Sequence, residues 1–390
     1  MKSGEEILRN LYVKLMNYKK VRREKLCLVG LVLNHQSLYR VIIRKFLKNN
    51  FEITLITRTS LISSFNEFND LIFINSNNEK SDFKIIKKNI NTINSTDVLF
   101  IDEIFDNFYR GLNLKIKPKK RFLILHNPNR WFLIFYKFNL RFFDTLFFRN
   151  IFLNQFHNFI TISPSVQDYL SSINQHRSNI FFIPFDYAGE ILDKSNNEEI
   201  SITIPGSINE NRRNYLSILE KLHLYFDKNP DSKIQIKLLG KLRNDQRDII
   251  NLISKINLFK KRIKYWKDYV SDMEFEKEME HTSYLLSNIN VILIKDNRVE
   301  IYGQTKETGI TYLAYKWAIP LILPYNQVVF NEIESQVIRY NEPSDLIKIL
   351  GIIETQNKDL LRTQCKINFE RFNEFVNREL NCLLEFIQKN

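Results

Sequence analysis

The readable pattern begins at "LCLVGLVL", residues 26–33, where nearly every position is apolar. Such a run has no amphipathic period and predicts a strand buried on both faces. "SLYRVIIRKFLKNN" (37–50) follows, with apolar residues three and four apart, the spacing of one helix face. The two patterns then alternate. "FEITLIT", "DLIFIN", "DVLFIDEI", "RFLILHN" and "NIFFIPF" predict strands, and "NFITISPSVQDYLSSI" predicts a strand, a turn and a helix. The polar segment 186–200, which carries Gly189, reads as a hinge. After it the alternation restarts. "SITIPGSI", "KIQIKLLG", "RIKYWKDYV", "NVILIK" and "PLILP" predict strands; "NYLSILEKLHLYFDKN", "RNDQRDIINLISKIN" and "DMEFEKEMEHTSYLLS" predict helices. From Ser344 to Lys389 only helical pattern remains. Short β-branched runs between amphipathic helices describe parallel sheets covered on both faces. The pattern therefore predicts two α/β units, 1–187 and 200–343, and a helical tail over 344–390 that packs back towards the first unit. Residues 1–25 add a short amphipathic helix that runs into basic residues from Lys19 to Lys25.

A length of 390 residues agrees with two domains. The net charge of +13 adds something the pattern does not contain, an expectation of an anionic partner. Three scattered cysteines, Cys27, Cys365 and Cys382, suit neither a disulfide framework nor a zinc site, and they fit a reducing compartment. The N-terminal segment lacks the apolar core of a secretory signal, and no run of about 18 apolar residues predicts a membrane span. Only 9 residues are glycine, yet Gly303 and Gly309 stand six apart just before a helical run, with Lys306 between them. Glycine at a strand-to-helix turn lets an anion approach the backbone.

In an open parallel sheet, ligands bind beyond the carboxyl ends of the strands. Gly206, Arg212, Arg213, Lys295, Glu300 and the loop Thr305, Lys306, Glu307, Thr308 and Gly309 all follow predicted strands. Arginine, lysine and helix N–H groups there suit an anionic ligand. No Asp-x-Asp pair follows a strand; Asp102 and Glu103 are adjacent instead. His35 and His126 also sit at strand ends and can take a proton near neutral pH. The stretch 115–150 interleaves cations, including Lys117, Lys119, Lys120 and Arg121, with aromatic residues. That mixture suits single-stranded nucleic acid or an anionic membrane interface.

Three segments resemble the GT-B glycosyltransferases, above all the large retaining group that builds bacterial polysaccharides and lipid-linked sugars. In "IPGSINENRRNY", Gly206 matches the family's loop glycine and Arg212 its basic donor-diphosphate contact, while Ser207 stands where arginine is common. "FITISPSVQDYL" resembles the strand, serine and helix near the end of the first domain. "VEIYGQTKETGITYLAYKWAIPLILP" resembles the donor-site stretch, with Glu300 opening the Glu-x7-Glu motif; the second glutamate is unmatched, its place falling on Thr308 counted from Glu300 or on Leu313 counted back from Pro320, with Glu307 the nearest carboxylate. The resemblance implies two Rossmann-like, doubly wound parallel-sheet domains facing each other across a cleft. The first would hold the acceptor against His35, Asp102 and Glu103, and the second the donor against Gly206 to Gly309. His126, His35 and Glu300 would act catalytically. A nucleotide sugar would be co-substrate, with no metal or other cofactor, and a glycan or lipid-linked molecule the acceptor. Location would be cytoplasmic, with an anionic membrane surface as a partner and nucleic acid disfavoured. A sugar-nucleotide epimerase and a non-catalytic glycan- or nucleic-acid-binding protein are the alternative readings.

Overall fold

The structure, a computed structural model, describes residues 23–76, 79–132, 144–173, 178–187, 191, 199–243, 246–258, 260–295, 298–356 and 358–389. Its first half is a sheet of seven strands: β1 (Lys25–Gly30), β2 (Glu52–Thr57), β3 (Ile72–Asn75), β4 (Val98–Ile101), β5 (Lys120–Leu125), β6 (Asn158–Thr161) and β7 (Asn179–Phe182). They lie in the order β3-β2-β1-β4-β5-β6-β7, each neighbour parallel to the next. Helix α1 (Gln36–Lys48) buries Leu38, Tyr39, Ile42, Ile43 and Phe46, the residues its periodicity selects. Two further helices, α2 (Pro128–Phe132) and α3 (Pro164–Ile173), follow β5 and β6.

The second sheet contains β8 (Ile200–Pro205), β9 (Ile234–Lys241), β10 (Ile263–Trp266), β11 (Tyr284–Leu286), β14 (Leu321–Pro324) and β15 (Val337–Tyr340). Its order is β10-β9-β8-β11-β14-β15, again all parallel. Helices α4 (Tyr215–Lys228), α5 (Asp272–Glu280) and α6 (Ile310–Lys316) connect its strands.

Three elements differ from the sequence expectation. Tyr284, Leu285 and Leu286 were expected to end a helix, yet they form the strand between β8 and β14. Each is at most 2% exposed. Three consecutive buried residues suit a strand covered on both faces, and α5 accordingly stops at Glu280. "NVILIK" does not join a parallel sheet. Its residues Ile292–Lys295 (β12) pair antiparallel with Arg298–Ile301 (β13) as a separate hairpin, which leaves Ile292 56% and Ile294 78% exposed. Strand β15 was not expected at all. The N-terminal helix, most of the hinge 186–200 and residues 133–143 of the basic-aromatic stretch lie outside the described residues.

Of the tail, α7 (Asp345–Thr355) packs on α4 in the core of the second sheet, and the Tyr225 hydroxyl donates to Glu354 at 2.8 Å. Helix α8 (Lys358–Lys389) runs back over the first sheet. Phe369, Phe372, Val376, Leu380, Leu383 and Ile387 recur at intervals of three and four and are all buried. Phe372 stacks on Phe330 at 4.9 Å and meets Tyr315 edge-on at 4.5 Å. Phe386 reaches Phe181 and Phe122 in the first sheet, at 5.0 and 6.2 Å. One apolar core thus runs from β5 through α8 to α6. Phe372→Ala should cost about 3–5 kcal/mol in urea unfolding, because neighbours from both halves close on the same ring. A loss below about 1 kcal/mol would show that the halves do not depend on this core.

Candidate active site between the two sheets

The first sheet changes direction of winding between β1 and β4, so the loops beyond these strands part and leave a crevice. His35 lies between β1 and α1, Asp102 directly follows β4, and His126 directly follows β5. The Asp102 carboxylate, 2% exposed, joins them. Its Oδ2 meets His35 Nδ1 at 2.6 Å and accepts a hydrogen bond from the Tyr39 hydroxyl; its Oδ1 meets His126 Nε2 at 3.1 Å and the Glu103 N–H at 2.7 Å. An ionised carboxylate only accepts, so both histidines present N–H to it. The two rings stack at 3.7 Å and 15°, and Phe185 stands edge-on to both.

Burial works to raise the Asp102 carboxyl, but the two imidazoles outweigh it and hold it well below the usual carboxylate range. Burial likewise works to lower His126, and Asp102 reverses this, so His126 sits above the ordinary histidine value. Among the described residues, His35, Asp102 and His126 form the one group placed to hold a metal ion. The 2.6 Å between His35 Nδ1 and Asp102 Oδ2 is a hydrogen-bond distance. Two ligands on one ion at ~2.0–2.2 Å would stand about 3.3 Å apart in a tetrahedral site.

The second half reaches this crevice through the β12–β13 hairpin and the loop after it. Glu300, 5% exposed on β13, accepts from Asn127 Nδ2 at 2.8 Å and from Lys306 Nζ at 3.0 Å. Asn129 Nδ2 donates to the Val299 carbonyl at 2.8 Å. Glu103 Oε1 accepts the N–H groups of His126 and Asn127 at 3.3 and 3.1 Å. Burial pushes the Glu307 carboxyl up, against hydrogen bonds from Thr308, Thr311 and Ser163. These groups enclose a cleft of about 650 Å³ whose wall includes His35, Glu103, His126, Glu300, Lys306, Glu307, Thr308 and Gly309. Thr305 is not in that wall. It is buried, and its hydroxyl accepts the Ile301 N–H at 2.8 Å, closing the turn. Lys295 ends β12, and its side chain lies outside the described residues.

The second sheet has its own switch point, between β8 and β11. Gly206 follows β8 with φ of +99°, and Asn288 follows β11. The two expected arginines part here. A 3-10 turn over Glu210–Arg212 sends Arg212 outward, exposed, where it meets the Tyr302 hydroxyl. Arg213 is extended and turns inward, donating to the Pro205 carbonyl at 2.7 Å and to Asn288 Oδ1 at 3.2 Å. A Cβ on Gly206 would stand 2.5 Å from Arg213 Nη2. Arg213, not Arg212, therefore occupies the position beside the loop glycine. Helix α4 starts at Tyr215, one residue into the expected segment, and Glu210 Oε2 accepts the N–H groups of Tyr215 and Leu216 at 2.9 and 3.1 Å. Gly206, Arg213, Ser287, Thr308 and Gly309 line a pocket of about 270 Å³ that shares Phe185, Thr308 and Gly309 with the larger cleft.

No family model and no curated protein matches the chain. Solved structures do. HepE of Anabaena, in complex with UDP and glucose, superposes with a TM-score of 0.61 at 11% identity, over 94% of this chain and 100% of that one. The trehalose-phosphate synthase (UDP-forming) of Burkholderia vietnamiensis gives 0.61 at 6% identity, over 94% and 100%. The pneumococcal O-GlcNAc transferase GtfA, in complex with UDP and GlcNAc, gives 0.62 at 8% identity, over 94% and 99%. The chain has the GT-B fold. The GT-B halves bring His35, Glu103, His126, Glu300 and the Lys306–Gly309 loop to one cleft, and Gly206 with Arg213 to the pocket beside it; Asp102, expected to touch the acceptor, is instead buried behind the two histidines and does not line the cleft. Asn127, Arg130 and Asn288 were missed. All three follow strands, and "LHNPNRW" places two of them within four residues of His126. That position was the signal; the absence of a titrating side chain hid the asparagines.

The raised His126 value means that its contribution to stability is full below ~pH 6.5 and is lost as pH rises through its folded value. Asp102 contributes fully above ~pH 3.9, and its share is lost as pH falls through its depressed folded value. Asp102→Asn should move the His126 titration midpoint downward, read from the imidazole C–H signals by NMR. An unchanged midpoint would show that Asp102 does not hold the proton there.

Proposed function

We propose that the protein is a glycosyltransferase that moves a sugar from a nucleotide-sugar donor to a growing glycan or lipid-linked acceptor. The observation that carries this is the meeting of two switch points across one cleft, with a glycine-arginine pocket opening into it. UDP in complexes of the neighbours HepE and GtfA supports a uridine diphosphate donor. In this reading 200–343 is the donor domain, 1–187 the acceptor domain and 344–390 a tail.

Arg213 and the backbone around Gly206 and Gly309 receive the diphosphate and stabilise charge as it departs, without a metal. The sugar lies in the larger cleft against Glu300, whose two oxygens are aligned by Asn127 and Lys306. Lys306 therefore orients Glu300 as well as facing the ligand. His126 contacts the transferred sugar. His35 presents Nδ1–H to Asp102, which leaves Nε2 to accept the proton of an acceptor hydroxyl.

Equilibrium titration with UDP, GDP and their sugar nucleotides tests the reading, which fails if the folded protein binds none of them. Arg213→Ala should weaken UDP binding roughly tenfold to a hundredfold, the worth of a charge-assisted hydrogen bond. Arg212→Ala should change it less than about twofold. An equal loss for uridine and UDP would show that Arg213 does not contact phosphate.

A role in bacterial surface polysaccharide synthesis, on the cytoplasmic side of an anionic membrane, is the finer part of the proposal. Its basis is narrower than the sequence suggested. Phe122 and Trp131 are buried, Lys120 pairs with Glu24, and Arg121 donates to the Ile116 carbonyl. Lys115, Lys117 and Lys119 remain as an exposed row alternating with buried Leu114, Ile116 and Pro118. Each contributes about 1 kcal/mol near an anionic surface. Replacing all three with glutamate should release the protein from phosphatidylglycerol vesicles at low salt. Wild-type protein that does not sediment with those vesicles would rule out attachment.

A further inference from the structure

Arg130 lines the large cleft from the first half, on α2. Its Nη2 donates to the Ile104 carbonyl at 2.8 Å, and its guanidinium lies 4.2 Å from the centre of the Phe105 ring. Nη1 is buried and has no hydrogen-bond partner among the described residues. The carboxylates whose charge it feels are Glu103 and Asp82. Both are engaged elsewhere: Glu103 with the His126 and Asn127 N–H groups, Asp82 with Arg58 at 2.6 Å and the Phe105 N–H at 2.8 Å. A guanidinium carries five N–H donors, and an orphaned buried donor is costly. The Asn127 side chain on the same wall leaves Oδ1 buried and unpartnered as well.

We infer that Arg130 is the recognition group for an anionic substituent, carboxylate or phosphate, on the acceptor, with Asn127 Oδ1 accepting a hydrogen bond from a hydroxyl beside it. The inference rests on the glycosyl-transfer reading and names the substrate class. Its grounds are position and chemistry. Arg130 shares the cleft with His35 and His126, on the half opposite the Gly206–Arg213 pocket, so the donor diphosphate has its own cation. The guanidinium is held by main chain and ring rather than by an acid, which leaves its charge and fork for a bidentate partner. Phe105 is 59% exposed, so its ring can turn aside from Nη1 with little loss of burial.

The test has two stages on the full-length chain. Calorimetry with UDP, GDP and ADP first establishes nucleotide binding; if none binds, the glycosyl-transfer reading fails and this inference with it. Protein saturated with the bound nucleotide is then titrated with methyl glucoside, methyl glucuronide, glucose 6-phosphate and decyl phosphate. At least one anionic compound should bind tenfold or more tightly than methyl glucoside, and which one does separates a sugar carboxylate, a sugar phosphate and a lipid phosphate. Arg130→Gln should remove that preference while leaving nucleotide affinity within about twofold, and Arg130→Lys should keep part of it. Nucleotide binding without any preference for the anions overturns the inference alone, as does a preference that survives Arg130→Gln. If Arg130→Gln does not fold, Arg130→Lys carries the test: it keeps the charge but loses the planar fork, and an anion preference it leaves undiminished overturns the inference.

Discussion

A carboxylate removed from water must be surrounded by donors and positive charge, or it does not remain ionised. Asp102 meets that demand with four partners drawn from the loops after β1 and β4, from α1 and from the end of β5. Much of the cleft follows from this arrangement. Two imidazoles that reach the same carboxylate have little room except face to face, hence their stacking at 3.7 Å. Fixing His126 also fixes Asn127, and Asn127 holds Glu300 from the other half. The buried acid in the first sheet is thus connected, side chain by side chain, to the hairpin of the second.

The cations are distributed by the same logic. Lys306, beside the glycines, is paired with Glu300. The N–H groups at the start of α4 are taken by Glu210. Among the described residues Arg213 is met by neutral groups, the Pro205 carbonyl, the Asn288 amide oxygen and the Tyr215 hydroxyl, so its charge is open to a ligand. Attraction for an anion therefore concentrates at the switch point of the second sheet rather than along the Lys306–Gly309 loop.

The parallel strands were legible because burial on both faces writes itself as consecutive apolar residues, and strand ends then mark the ligand edge. That logic reached His35, Asp102, His126 and Gly206. It did not reach their partnerships: Asp102 stands 67 residues from His35 and 24 from His126, and nothing local records either bond. β11 was lost because a three-residue strand following a helix extends the apolar period of that helix. The hairpin was misread because a β-branched run looks the same whichever strand it pairs with. Arg212 and Arg213 are adjacent, so the choice between them depends on the phase of a single 3-10 turn. Thr305 has the side chain of a ligand contact and the position of a turn closure, and only the fold distinguishes the two.

The halves are joined in two ways that differ in kind. Behind the cleft lies apolar contact: α8 brings Phe369 and Phe372 against α6, and Phe386 against the first sheet. Across the cleft lie polar pairs, Asn127 with Glu300, Asn129 with the Val299 carbonyl, and Glu307 with Ser163. The Asn127–Glu300 bond is buried and made to a carboxylate, a kind of hydrogen bond worth about 1.5–3 kcal/mol. A buried phenylalanine is worth about 1.5–3 kcal/mol, and nothing replaces it. The Tyr312 hydroxyl donates to the Ile162 carbonyl within that apolar core, so one polar bond between the halves is itself enclosed by the apolar contacts.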